Sequence, residues 1–119
     1  MKVSTADRRR AKRVPVDFDV KYRVLRGSGQ DDGYKTVKAK NISKYGICIL
    51  ATEKLQEGDI LHINFTVEER EIDAFCAVIW ADETRDYYEA GLEFDFLNQY
   101  DSIFLIQYMK RILEKYGIL

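Results

Sequence analysis

Two short stretches of this chain carry side chains suited to gripping an anion. Arg8-Arg9-Arg10-Ala11-Lys12-Arg13 places five positive charges in six residues. The guanidinium is a planar fork of donors that meets a phosphate, or the edge of a guanine, in two-pronged fashion. About thirty residues further on, Asn41-Ile42-Ser43-Lys44-Tyr45-Gly46 supplies an amide, a hydroxyl and a turn glycine between two strand-like runs. One ligand class suits both stretches: an anionic nucleotide bearing guanine.

Catalysis has far less to work with. His62, the sole histidine, falls on the polar side of Leu61-His62-Ile63-Asn64-Phe65-Thr66-Val67 with no evident partner, and Ser43 has no obvious base. No acidic set of the kind a metal-dependent phosphodiesterase or cyclase needs can be found, so the expectation is that the protein is not an enzyme and carries no metal or cofactor. Cys48 and Cys76 sit in apolar β-like runs without short spacing, which makes them buried free thiols rather than zinc ligands.

Charge is distributed unevenly. Lys2, Arg8, Arg9, Arg10, Lys12 and Arg13 against Asp7 give residues 1–13 a net +5, leaving −6 for the remainder of a chain whose total is −1. A binder of long nucleic acid spreads its cations over a folded face to neutralise many phosphates. Confinement to one end favours a small anionic ligand and disfavours long nucleic acid. With 119 residues, 46% of them hydrophobic and 33% charged, the chain is one ordinary globular domain. No apolar run approaches a membrane span and the first residues lack a signal-peptide pattern, so the expected location is the cytoplasm.

These residues must be positioned by β-structure. Val14, Val16, Phe18, Val20, Tyr22 and Val24 alternate with polar partners as a half-buried strand, with Pro15 near its start. Gly27 to Gly33 is a turn, Tyr34 to Lys40 a second strand, and residues 45 to 51, apolar on both faces, a third. Leu61 to Val67, Ile72 to Ala81 and Tyr88 to Phe96 follow, separated by short charged turns, one of them the hairpin tip Glu68-Glu69-Arg70-Glu71. Six strands in about eighty residues leave exposed edges unless the sheet closes, so a six-stranded antiparallel β-barrel is expected. The period then lengthens. Asn98 reads as an N-cap, Ile106, Met109, Leu113 and Tyr116 as an apolar stripe against the barrel, and Gly117 as the stop of a C-terminal α-helix. Phe104 and Tyr108 form a second pair at helical spacing, for packing or for a partner. The expected layout is thus a flexible basic arm over 1–13 and a barrel plus helix over 14–119.

Arg9 to Arg13 matches an RxxxR motif and Asn41 to Gly46 a [DN]xSxxG motif, with a Val-Pro-Val strand start between them. With Ala77-Val78-Ile79-Trp80 and Ala90-Gly91-Leu92-Glu93-Phe94 in the later strands, the chain resembles, over nearly its whole length, the PilZ domain, a bacterial receptor for the second messenger cyclic di-GMP. The resemblance implies a mostly β fold: a six-stranded antiparallel barrel with a C-terminal helix.

It also implies roles. Arg9 and Arg13 would contact phosphate and the O6/N7 edge of guanine, Asn41 and Ser43 would hydrogen-bond a guanine from the barrel side, and Gly46 would allow the backbone to turn into the next strand. Asn41 stands where many relatives have aspartate, and its amide oxygen accepts without the carboxylate's charge. Arg8, directly before RxxxR, resembles the type that binds a stacked pair of ligands. Arg10 adds a phosphate contact or stays solvated, and Trp80 neighbours the guanine or packs the barrel. The implied function is a cyclic di-GMP receptor whose arginine arm orders on binding and signals to an unidentified downstream protein. The alternatives are a PilZ-like interaction module that does not use ligand, and a single-stranded RNA binder using the arm and exposed tyrosines.

Overall fold

The computed structural model describes residues 12–25 and 33–116. Arg8, Arg9 and Arg10, most of the expected 27–33 turn, and Gly117 therefore lie outside the described residues. The strands are β1 (Val14–Pro15), β2 (Asp19–Val24), β3 (Lys35–Ile42), β4 (Gly46–Ala51), β5 (Ile60–Val67), β6 (Arg70–Glu83) and β7 (Tyr88–Leu97), followed by helix α1 (Gln99–Lys115).

Six of the strands close into an antiparallel barrel. The hydrogen-bonded order β3-β2-β5-β6-β7-β4 returns to its start because β3 also pairs with β4. The expected strand from Val14 to Val24 is divided into β1 and β2. Val14 pairs with Ile42 but Asp19 with Lys38, an offset that inserts one extra residue opposite β3. The backbone stays attached across the break, since the Val16 amide donates to Lys40 O and the Ala39 amide to Phe18 O.

Alternation fills the interior. Val20, Tyr22, Val37, Ile47, Ile49, Leu61, Ile63, Phe65, Ile72, Ala74, Cys76, Val78, Ala90 and Leu92 are buried in one cluster, the positions that period two places on one face of each strand. Tyr22 brings a hydroxyl inside, and it donates to Glu53 Oε1 at 2.9 Å. Both cysteines are buried free thiols.

The helix begins where expected: Asn98 Oδ1 accepts from the Tyr100 amide at 2.8 Å, the bond an N-cap makes. Its inward stripe is rotated from the expected one. Leu105 and Met109 are buried, whereas Ile106 and Tyr116 are exposed, and Phe104, Tyr108, Ile112 and Leu113 pack against the core. Apolar residues occupy more than one stripe of this helix, so the barrel selects which one turns in. Phe104 and Tyr108 thus serve packing. Two ion pairs tie the helix to the β5–β6 hairpin, Arg70 Nε to Asp101 at 2.8 Å and Arg111 Nη2 to Glu68 at 2.6 Å. The tip is Glu68–Glu69, both with left-handed φ, and Arg70 already belongs to β6.

Candidate functional site

Arg13 and Asn41 meet. Arg13 precedes β1, β1 pairs with the end of β3, and this brings the Arg13 Nη1 donor to 2.9 Å from Asn41 Oδ1. The last arginine of the first stretch is therefore in contact with the first residue of the second.

Strict alternation would bury Asn41. Val37 and Ala39 point inward on β3, and the next inward position is 41. Instead a bulge lies between Ala39 and Asn41, so Lys40 and Asn41 together oppose Cys48. Parity inverts, Ile42 takes the interior place, and Asn41 comes to the outer surface. The same device operates on β6. Ile72, Ala74, Cys76 and Val78 point inward, and a bulge between Val78 and Trp80 turns the indole outward. The tryptophan does not pack the barrel interior.

The two bulges bring their residues into one row. Asn41 pairs with Cys48, Cys48 with Gly91, and Gly91 with Trp80, so these four positions cross β3, β4, β7 and β6 on the same face. Three strand spacings separate the ends of the row, about 14 Å. Cys48 is small, and Gly91 has no side chain to hold the indole off the backbone. A Cβ at Gly91 would stand 2.1 Å from Trp80 Nε1, so the indole covers the glycine and the row forms a low platform with the Arg13–Asn41 pair at its far end. Burial raises the pKa of the Cys48 thiol, with Glu89 adding to it, while Lys40 and Arg13 pull the other way. Lys40 is held beside the row by a 2.8 Å ion pair with Glu89, which raises its own pKa.

Ser43 and Gly46 build the turn below Asn41. The Ser43 amide donates to Gly46 O at 2.8 Å, and Ser43 Oγ accepts from the Tyr45 amide at 3.2 Å. Ser43 is buried, and a serine hydroxyl that accepts one bond can also donate one. Gly46 is required for a different reason than expected. Its φ is not left-handed; instead, an added Cβ would lie 2.0 Å from the Leu92 carbonyl oxygen. Only glycine lets β4 approach β7 this closely.

Sequence reasoning noted Gly91 only within the Ala90–Phe94 strand pattern and gave it no role, although a glycine inside a strand marks a close approach. It also left His62 without partners. In the fold, Tyr34 Oη lies 2.8 Å from His62 Nδ1 and Asp73 Oδ1 lies 3.3 Å from His62 Nε2. Among the described residues no group of histidine, cysteine, aspartate and glutamate could hold a metal ion, and no helix is long and apolar enough to cross a membrane.

A family model described as "PilZ domain" matches residues 7–111. Solved structures similar to the chain include the Bacillus subtilis inhibitor of motility, MotI/DgrA, at 21% identity and TM-score 0.73, with 86% of this chain and 49% of that one covered. The PilZ domain of Escherichia coli YcgR, solved with c-di-GMP, is 12% identical with TM-score 0.67, and the match covers 94% of this chain and 99% of that one. K. pneumonia MrkH, solved as a c-di-GMP complex, is 16% identical with TM-score 0.67, over 91% and 52% respectively. The chain thus spans about half of MotI and of MrkH, and nearly all of the YcgR domain. No curated protein matches the chain.

Proposed function

The chain belongs to the PilZ domain family, and on that premise we propose that it is a receptor for cyclic di-GMP. The observation that carries this reading is the 2.9 Å contact between Arg13 and Asn41, which joins the two ligand motifs at one end of a platform whose other end is Trp80. Guanine would lie over Cys48, beside the indole that covers Gly91, with its N–H groups toward the second lone pair of Asn41 Oδ1 and its O6/N7 edge toward arginine. Ser43 would donate its hydroxyl proton, and the close β4–β7 packing at Gly46 would keep that turn in place.

Arg8, Arg9 and Arg13 would neutralise the ligand's phosphates, with Arg10 as a further phosphate contact. A run of like charges is self-repelling until an anion compensates it, so binding would fold residues 1–13 over the platform. That ordering is the signal offered to a downstream protein. Amide exchange across residues 5–14 tests it: unchanged protection on adding ligand would leave binding intact and remove the switch.

Binding itself is tested by isothermal titration of the full chain with cyclic di-GMP. Arg13→Ala should weaken affinity about ten- to a hundredfold, the worth of one bidentate contact. Absence of binding at micromolar ligand, or affinity indifferent to Arg13→Ala, would favour an interaction module that does not use ligand.

A further inference from the structure

A second row crosses the outer face of the barrel. Arg23 on β2 pairs with His62 on β5, His62 with Phe75 on β6, and Phe75 with Phe96 on β7. Four strands therefore place one residue each on the same line of the same face. The rings touch along it: His62 and Phe75 at 5.1 Å between centroids, Phe75 and Phe96 at 6.5 Å, with Tyr34 edge-on to His62 at 5.7 Å. Arg23 closes the β2 end over the Tyr34 ring at 5.2 Å.

The row is open to solvent at Phe75 and Phe96 and at the flanking Tyr34, while the His62 side chain between them is 18% exposed. Tyr34 is 49% exposed, Phe75 41% and Phe96 69%, large values for aromatic side chains in mutual contact. Contiguous exposed aromatics on a small domain mark an interaction surface, and rings that already pack on one another lose little freedom when a partner covers them.

Charge sets the kind of partner. Asp73 precedes Phe75 by two positions on the same face, and Asp95 is the extra residue of the bulge beside Phe96. Glu71 extends the acidic side along β6. Among the described residues, none of the three has a lysine or arginine partner: Glu71 and Asp73 accept from the Asn64 amide, and Asp73 also lies against His62. The Phe75–Phe96 end is therefore an apolar seat rimmed by carboxylates that no described lysine or arginine pairs.

We propose that this row docks a protein segment carrying an aromatic or aliphatic anchor flanked by lysine or arginine. The anchor seats on Phe75 and Phe96, and the flanking cations face Asp73 and Asp95. The surface stands apart from the Asn41–Trp80 row and does not depend on whether cyclic di-GMP binds there. It lies five residues away along the same two strands, Phe75 to Trp80 on β6 and Phe96 to Gly91 on β7, roughly 16 Å on the same hairpin.

The test uses the isotope-labelled full chain and two short synthetic peptides with a Trp-Leu-Phe centre, one flanked by lysines and the other by glutamates. The lysine peptide should give saturable amide shifts centred on His62, Phe75 and Phe96. The glutamate peptide, and a Phe75→Ser/Phe96→Ser double variant with the lysine peptide, should each bind at least about tenfold more weakly. Asp73→Asn/Asp95→Asn keeps the aromatic seat and should reduce the preference between the two peptides. Equal affinity for both peptides, or shifts located elsewhere, would overturn the proposal. So would peptide-free shifts at these residues that grow with protein concentration, which would assign the surface to a second copy, or displacement of the lysine peptide by a single-stranded RNA oligonucleotide. Cyclic di-GMP titrated into the same variants reports separately on the other row and should be unaffected.

Discussion

Trp80 lies directly on Gly91, with the indole nitrogen 2.1 Å from the position a Cβ would take. The contact joins two strands on the outer face and exists because a bulge on β6 turns the tryptophan away from the interior. It resembles the Gly46 contact in distance but differs in what must yield.

Gly91→Ala should lift the indole, because a side chain can rotate away. The expected result is a changed tryptophan emission and weaker cyclic di-GMP binding at nearly unchanged stability. Gly46→Ala drives a methyl into the Leu92 carbonyl, which cannot move without shifting β7. Urea unfolding should show a loss of about 1 to 3 kcal/mol there. Equal stability costs at the two glycines would contradict the geometry.

Arg13 and Asn41 should behave as a coupled pair. Side chains in contact give non-additive mutational effects of about 0.5 to 3 kcal/mol. Arg13→Ala, Asn41→Ala and the double variant, titrated with cyclic di-GMP, should therefore lose less together than the two single losses combined. Strict additivity would mean that the 2.9 Å bond has no part in binding.

Arg8 is expected to set stoichiometry. The parent chain should bind cyclic di-GMP as a stacked pair, and Arg8→Ala as a single molecule with Arg9 and Arg13 still engaged. Calorimetric ratios answer this directly. A ratio near one for the parent chain would remove the role of Arg8 without touching the receptor reading.

The β5–β6 hairpin tip offers a gain in stability. Glu69 holds φ 71, a left-handed conformation that costs an L-residue about 1 to 2 kcal/mol and glycine almost nothing. Glu69→Gly should raise the urea midpoint, by less than that strain alone, because glycine also gives the unfolded chain more freedom to lose. Glu68 is the wrong residue to change, because it pairs with Arg111 at 2.6 Å.

Alkaline stability should report on Tyr22. Burial first, then the hydrogen bond and charge of Glu53, raise its pKa above the ordinary 10.0. The folded state keeps the phenol proton where the unfolded chain loses it. The stabilisation is therefore complete below pH 10 and is lost as pH rises from there through the folded value. The urea midpoint should fall more steeply above pH 10 in the parent chain than in Tyr22→Phe. Parallel curves would show that Tyr22 does not titrate differently in the two states.

What the sequence by itself determined are the properties that repeat locally. Period-two alternation placed the strands, the Asn98 cap placed the helix start, and the order of Arg9-Arg13, Asn41-Gly46 and the later strand patterns identified the family. Tertiary structure decided which way the decisive side chains face. Strand side chains alternate, so one extra residue reverses every position beyond it, and whether that residue is accommodated as a bulge depends on the partner strand. Asn41 and Trp80 both lie just past such bulges, and alternation alone would have sent both inside. The helix stripe, the partners of His62 and the nearness of Gly91 to Trp80 share this origin. Each is a relation between segments far apart in the chain, set only when β3 pairs with β4 and the barrel closes.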